Sequence, residues 1–305
     1  MNAAGSDEPA IAVLMTCHNR RDKTLACLAA LAGQPLFDAE NLFLVDDGSS
    51  DGTGASVRAL LPGANMIDGD GTLFWAGGMR LAWSRAKASG RGFTYYLWLN
   101  DDVVLDPGAL AMLVEDTAAA GPAGSAAIVA GATRDPASGT ITYGAHRRPD
   151  RRRPLRLQLV APAGRPLPVD TISGNVVLVS SAAEARLGSL AGEFEHSFAD
   201  LDYGLRAKAA GIPVLLARRV AGICPGNPMT GTSLDPNLGR VPRLSAALRE
   251  LRRVHARDWR RLVRRHGGGR LAVVAHTLAP LLRIVLNRPH RHAAIPADPS
   301  PGLGS

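Results

Sequence analysis

The sequence has no uninterrupted apolar run that approaches the length needed to cross a bilayer. It has three cysteines, Cys17, Cys27 and Cys224, and no Cys-x-x-Cys pair. An odd, scattered set of thiols points to a reducing compartment and away from structural zinc. Gly-x-Gly-x-x-Gly does not follow the first apolar run, which excludes the dinucleotide fingerprint. The segment Arg20 to Thr24 has no glycines, so a Gly-rich, Lys-containing phosphate loop is missing too. Met1 to Pro9 is polar and slightly acidic, so no secretory signal is expected there and a cytoplasmic location is. The basic stretches lack interleaved aromatics, so no nucleic-acid partner is expected.

What is present is apolar residues at 46% of 305, enough to bury one large α/β core or two small ones. The net charge is +8 and comes mostly from arginine. It gathers in two places, His146 to Arg153 and Arg240 to Arg265. Such patches suit a phosphorylated substrate or an anionic membrane face, against the plain reading of a solvated surface.

Apolar runs that end abruptly in carboxylates organise the chain. Tyr95-Tyr96-Leu97-Trp98-Leu99 reads as a buried strand and stops at Asn100-Asp101-Asp102. Asn41 to Val45 stops in the same way at Asp46-Asp47-Gly48, and Ile11 to Thr16 runs into Cys17-His18-Asn19-Arg20. In an open α/β sheet, the carboxyl ends of strands face the ligand crevice. Adjacent carboxylates there repel unless a cation or proton lies between them. Mg²⁺ or Mn²⁺ with a diphosphate is the natural partner, because hard cations take carboxylate and phosphate oxygens together.

The same pattern predicts helices at Asp22 to Gly33, with Leu25, Leu28, Ala29 and Leu31 inward, and from Trp75 to Ala88. Asp106 is expected to cap a helix running from Pro107 to Ala119. Ala64 to Ile67, Ala126 to Ala130, Val176 to Val179 and Pro213 to Ala217 read as strands. Gly131 to Pro168 reads as an excursion from the sheet. Helices are expected at Ala182 to Leu187 and from Asp200 to Gly211. Ala221 to Pro242 reads as a loop. One arginine-faced helix from Leu244 to Gly267 and an apolar one from Leu271 to Leu286 follow.

Four segments, taken in order, carry a likeness. They are Thr16-Cys17-His18-Asn19-Arg20, Val45-Asp46-Asp47-Gly48-Ser49-Ser50-Asp51-Gly52-Thr53, Leu97-Trp98-Leu99-Asn100-Asp101-Asp102 and Phe198-Ala199-Asp200-Leu201-Asp202-Tyr203-Gly204-Leu205-Arg206. Together they resemble the inverting family 2 glycosyltransferases of the GT-A fold. The flavour is that of the bacterial rhamnosyltransferase-like branch, which builds surface polysaccharides. The resemblance covers about Ile11 to Asn227, and Trp259 to Leu286 also looks like that branch. It implies an α/β fold of the nucleotide-diphospho-sugar transferase type, a Rossmann-like mixed sheet flanked by helices with a C-terminal helical extension.

The roles it implies are specific. His18 lies against the nucleotide base and Asp47 hydrogen-bonds it. Asn100-Asp101-Asp102 matches the family's Asp-x-Asp, so Asp102 would hold Mg²⁺ or Mn²⁺, and Asn100 stands where an aspartate usually meets ribose. Asp200 matches the catalytic base, with Ala199 where the family has glutamate. Thr16, Asn19, Arg20, Trp75, Gly77, Gly78, Arg80 and Asp101 fall on the nucleotide and donor side. Ser173, Gly174, Asn175 and Asp202 fall toward the donor sugar and acceptor. The family's extra histidine ligand after the last strand has no counterpart, since Ile223 and Cys224 stand there. The partners implied are a dTDP-, UDP- or GDP-linked sugar and a glycan or lipid-linked acceptor.

A nucleotidyltransferase also uses strand-end carboxylates and a metal, and a catalytically inactive nucleotide-sugar- or nucleic-acid-binding protein is the third reading. Residues 9–225 are expected to form the catalytic domain and 226–288 a loop with helical extension, with 289–305 as a disordered tail. The extension is read either as packed on the domain or as touching the inner face of the cell membrane peripherally, and both can hold.

Overall fold

The computed structural model describes residues 8–150, 152–227 and 229–286. The tail expected at 289–305, most of the acidic N-terminus and Arg151 of the first basic cluster lie outside the described residues.

The first half alternates strand and helix: β1 (Ile11–Cys17), α1 (Arg21–Ala32), β2 (Leu42–Asp46), α2 (Thr53–Leu60), β3 (Asn65–Asp68), α3 (Phe74–Ala88) and β4 (Tyr95–Leu99). β1 pairs in parallel with β2 and β4, and β2 with β3. These strands carry apolar side chains on both faces, as buried parallel strands must. Ala12 and Leu14 enter one core while Ile11, Val13 and Met15 enter the other.

The second half is mixed. It runs β5 (Val104–Leu105), α4 (Ala109–Asp116), β6 (Ile128–Arg134), β7 (Ile141–Tyr143), β8 (Ala145–Arg147), β9 (Gln158–Val160), β10 (Leu167–Pro168) and β11 (Thr171–Ile172). Then come β12 (Val176–Ser180), α5 (Ser181–Leu187), α6 (Ala199–Ala209), β13 (Val214–Ile223), α7 (Arg240–Glu250), α8 (Val254–His266) and α9 (Arg270–Val285). The main sheet has the order β10-β13-β6-β12-β4-β1-β2-β3, and β11-β8-β9 form a small second sheet. Helices α3, α5, α6 and α8 cover one face of the main sheet; α1, α2 and α4 cover the other.

One feature of this topology builds the site. β12 lies antiparallel beside β4, with Val176 opposite Leu99. The residues entering β12, Ser173 to Asn175, therefore arrive at the edge where β4 delivers Asn100 to Asp102. The Asn100 N–H donates to the Asn175 carbonyl at 2.9 Å and ties the two segments together.

The structure corrects several expectations. Asp106 does not cap a helix. Its carboxylate takes the Arg134 guanidinium at 2.5 and 2.9 Å, and α4 begins at Ala109 after left-handed Gly108. Gln34, just after α1 on the same face of the sheet, does the capping, accepting from the Leu110 N–H at 3.2 Å. Gly131 to Pro168 is only partly an excursion, since β6 reaches Arg134 and β10 pairs with β13. β13 runs on to Ile223, into the stretch read as a loop. Ala29 is exposed, and Thr24 and Cys27 take the inward places of α1. The arginine-faced helix is two helices broken at Leu251 to Arg253, where the sequence has neither Gly nor Pro. Tertiary packing makes that break: α8 turns to bury Asp258, Leu262 and Val263 against the domain.

Candidate active site

The carboxyl ends of β1, β2 and β4 and the residues leading into β12 and α6 surround a cavity of about 740 Å³. Thr16, His18, Arg20, Asp47 and Trp75 line it. So do Asn100, Asp101 and Asp102 on one side, and Ser173, Gly174, Asn175 and Asp200 on another. Asn19, Gly77, Gly78, Arg80 and Asp202 do not line it.

The acidic wall holds its own cation. The Arg20 guanidinium donates to Asp101 Oδ1 at 3.0 Å and to Asp102 Oδ2 at 2.9 Å. Burial, together with Asp102, pushes the Asp101 carboxyl up to about 6, and Arg20 works against that rise. Trp75 Nε1 donates to Asn100 Oδ1 at 2.8 Å, which turns the amide and leaves its N–H groups for another partner. Behind Asp102, the Cys224 thiol lies 3.6 Å from Oδ1, and burial pushes that thiol up to about 12.

Among the described residues no cluster of three or more His, Cys, Asp or Glu forms a closed metal cage. The donor set instead fits a hard divalent ion shared with a diphosphate, which uses one or two carboxylates and completes its shell with phosphate oxygens and water. Asp102, and Asp101 beside it, would hold it.

Across the cavity, Asp200 sits in the first turn of α6. Its Oδ2 accepts from the Gly174 N–H at 2.7 Å and its Oδ1 from the Leu201 N–H at 2.8 Å. Burial raises its pKa, and those two N–H groups oppose the rise. Gly174 is a glycine because a Cβ there would stand 2.6 Å from the Trp75 ring and 3.2 Å from Asp200 Cβ. Phe198, just before the helix, is held in the left-handed region at φ 65°. A bulky residue rarely adopts that conformation, which costs about 1–3 kcal/mol. Its ring packs on Trp259 at 5.2 Å and His255 at 4.5 Å, both from α8.

Asp47 lines the cavity and is fixed by backbone donors. Its Oδ1 accepts from the Gly71 N–H at 2.9 Å and its Oδ2 from the Phe74 N–H at 3.0 Å, which fixes the entry to α3. His18 Nδ1 donates to the Asp47 carbonyl at 2.6 Å. Asn19, left-handed at φ 51°, joins the β1 and β2 loops through Ser50 and Ser49. Gly77 and Gly78 serve packing: a Cβ at Gly78 would come within 2.2 Å of Thr16 Oγ1. Arg80 donates to the Phe194 carbonyl at 2.8 Å and braces the segment before α6. Asp202 is fully buried on the far side of α6, held by Arg206, Arg265 and His266. Its side chain lies outside the cavity.

Several cavity residues escaped the sequence reading. Tyr143, His146, His196, Phe198 and Asn227 line the space beyond Asp200 and Asp102. Burial pushes the His146 imidazole down to about 4, so it is neutral at pH 7. Its Nδ1 has no partner among the described residues. The most consequential omission is Asp258 of α8. Its Oδ2 accepts from the N–H groups of His196 at 2.9 Å, Ser197 at 3.0 Å and Glu195 at 3.3 Å. Nothing local in the sequence marks it apart from a buried position on an arginine-rich helix.

Comparison with known proteins gives the following. A family model, Glycosyl transferase family 2, matches residues 12–169. No curated protein matches the chain in sequence. Among solved structures, the mannosyltransferase PcManGT from Pyrobaculum calidifontis, in complex with GDP-Man and Mn²⁺, is similar with a TM-score of 0.53 at 14% identity, over 94% of this chain and 77% of that one. GalNAc-T7, solved with UDP, GalNAc and Mn²⁺, has a TM-score of 0.56 at 10% identity, over 93% of this chain and 57% of that one. These likenesses establish the GT-A type of fold.

Proposed function

The chain belongs to glycosyl transferase family 2, and we propose from that premise that it moves a sugar from a nucleoside-diphosphate donor to a hydroxyl of a glycan or lipid-linked acceptor, with inversion. The observation that carries the reading is the pairing across one cavity: Asp101 and Asp102 on the β4 side, and Asp200, fixed by the Gly174 N–H, on the other. Family membership speaks against the nucleotidyltransferase alternative.

Asp200 takes the acceptor hydroxyl proton as the new bond forms. Its raised pKa strengthens it as a base, and general-base help of this kind is worth roughly 10²–10⁴ in rate. The two N–H bonds to its oxygens fix the carboxylate, and each oxygen keeps a lone pair for the acceptor. On the donor side, Asp102 would hold the divalent ion with Asp101 beside it. An ion held there would supply neutralisation of the charge developing on the leaving diphosphate. Arg20, already between the two carboxylates, is placed to turn onto the phosphates, because arginine matches phosphate oxygens in a bidentate way. His18 and Trp75 wall the nucleotide, and Asn100 offers an N–H toward ribose. Asn100 and Ala199 depart from the family pattern but leave both the base and the ion-binding carboxylate in place.

The finer reading follows the motifs. A rhamnosyltransferase-like role in surface polysaccharide synthesis, with a dTDP-, UDP- or GDP-linked donor and Mg²⁺ or Mn²⁺, fits them best, in a protein working in the cytoplasm at the membrane's inner face. Residues 9–225 would act as the catalytic domain and 226–288 as its extension. The test is Asp200→Asn, assayed by product NMR and by thermal shift with each nucleotide sugar with and without Mn²⁺. The expected result is transfer lost by at least about 10²-fold, donor-induced stabilisation retained, and an inverted anomeric centre in the wild-type product. Loss of donor binding together with transfer would refute the assignment.

A further inference from the structure

The C-terminal helices carry a surface that the fold does not cover. On α9, Leu271, Val274, Leu278, Leu282 and Val285 are 85%, 56%, 48%, 56% and 56% exposed. Their spacing puts them on one helical face, a stripe about 20 Å long. Ile284, by contrast, is buried against the protein. A surface helix in water turns its polar side outward; α9 turns an apolar side outward. No helix among the described residues is long and apolar enough to cross a membrane.

Charge says what covers this face. From Arg240 to Leu286 the sequence has twelve arginines and two carboxylates, Glu250 and Asp258. The rest of the chain has 23 basic residues against 25 acidic ones, so the whole positive balance of the protein lies in this segment. Both carboxylates are already engaged: Glu250 accepts from Ser233, and Asp258 from the loop before α6. Arg252, Arg253, Arg264, Arg270 and Arg283 are exposed. A second copy of the chain seated on this face would bring the same arginines against these, and like charges facing each other across an interface are costly. An anionic bilayer offers the opposite: acyl chains for the stripe and phosphates for the arginines.

We propose that α9 docks the protein in the plane of an anionic phospholipid surface, with Leu271, Val274, Leu278, Leu282 and Val285 entering the acyl boundary and the flanking arginines meeting lipid phosphates. This deepens the acceptor reading above, on which it rests for its purpose but not for its test. The full-length chain is floated with phosphatidylcholine vesicles and with phosphatidylcholine–phosphatidylglycerol vesicles, with no nucleotide sugar present. The wild type is expected to float with the anionic vesicles and to be released in part by high salt. The double variant Leu278→Glu/Leu282→Glu is expected to reduce the bound fraction by about tenfold or more, with circular dichroism and melting temperature unchanged. Arg264→Gln/Arg270→Gln is expected to reduce it by a similar factor, and it carries the test if the glutamates unsettle the helix. Failure of the wild type to float, or equal flotation of both variants, overturns the proposal. So does light scattering that shows a dimer broken by the glutamates without any lipid binding, since that assigns the face to a second copy. Because no donor is present, either result leaves the sugar-transfer reading where its own assay puts it.

Discussion

Asp258→Ala removes the buried carboxylate with which α8 holds the backbone of the segment that carries the base. The carboxylate is fully buried and accepts from three consecutive backbone N–H groups, Glu195 to Ser197, at 2.9 to 3.3 Å on Oδ2, with Arg261 at 2.9 Å on Oδ1. Hydrogen bonds to a charged acceptor are worth about 1.5–3 kcal/mol each. They share one carboxylate and do not add, so the cost of breaking the set is about 3–5 kcal/mol, as for other buried charge networks. The segment those bonds hold ends at left-handed Phe198, two residues before Asp200. Without the carboxylate the backbone restraint is lost, and left-handed Phe198 is held only by its ring packing on Trp259 and His255 and by the side-chain bonds of Glu195 and Ser197 to α8, so the first turn of α6 is expected to shift.

A displacement of about 1 Å at a reacting group is enough to cost roughly 10² in rate. The expected phenotype is a melting temperature lower by several degrees and a single-turnover transfer rate down by about 10²-fold at saturating donor. Nucleotide affinity measured by calorimetry should change little, because Asp101, Asp102 and Arg20 stand on the opposite wall. Asp258→Asn, which keeps one acceptor oxygen, should fall between the two. A variant that melts earlier yet transfers at the wild-type rate would refute the claim that α8 positions the base. Equal loss of donor binding and transfer would show a global defect instead.

Further outcomes follow from the same geometry. Gly174→Ala drives a methyl group to 2.6 Å from the Trp75 ring; overpacking of this kind costs about 1–3 kcal/mol, and transfer should fall at least tenfold with circular dichroism unchanged, whereas full activity would show that the ring moves freely. Arg20→Met removes the cation shared by Asp101 and Asp102 and should lower stability in EDTA by about 1–2 kcal/mol, discounted because Arg20 is half exposed. Mn²⁺ should then raise the melting temperature of the variant more than that of the wild type, and equal shifts would show that Arg20 does not stand in the ion's place. Asp200 must be ionised to accept a proton, and burial raises its pKa, so activity is lost as pH falls through that raised value. The acid limb of kcat/KM should lie above about 3.9, the ordinary aspartate value, and a limb at or below it would contradict the buried base.

Much of the fold was legible because β1, β2 and β4 are buried on both faces, and a charge-free apolar run that stops at a carboxylate has few other readings. Gly33 after α1, Gly211 after α6 and the run from Phe198 to Arg206 were local signals of the same kind. What stayed hidden depends on contacts distant in sequence. β8 to β11 are two or three residues long, shorter than any periodic window. The antiparallel placement of β12 leaves no trace in Val176-Val177-Leu178-Val179, yet it brings Ser173 to Asn175 to the carboxylates. Asp202 belongs to the same motif as Asp200, but residues two apart on a helix do not share a face, and its side chain lies buried outside the cavity. Asp106 next to Pro107 has the form of a helix start, but Arg134 binds it more strongly than a backbone N–H would. Asp258 lies among arginines and reads as one half of a surface ion pair until the loop it caps is seen.

Two buried carboxylates tie α6 and α8 together in both directions. Asp258 reaches from α8 to the loop before α6, and Asp202 reaches from α6 to Arg265 and His266 at the end of α8. The bonds run in opposite directions, so neither helix can slide along the other without breaking one set. The orientation of Asp200 is therefore set jointly by the sheet, through Gly174, and by a helix belonging to the segment that holds the protein's whole positive balance. A truncation before Arg240 removes Asp258, His255 and Trp259, which support the segment entering α6 from behind, along with any lipid-facing surface, so its loss of activity would say nothing about membranes. Point changes on the exposed face of α9 separate the two effects, because Leu278 and Leu282 are exposed while Asp258 and Asp202 are buried. If α9 lies in a lipid interface, α8 is the element that carries that constraint to the base, and substitutions on the stripe should leave transfer to a soluble acceptor intact while slowing transfer to a lipid-linked one.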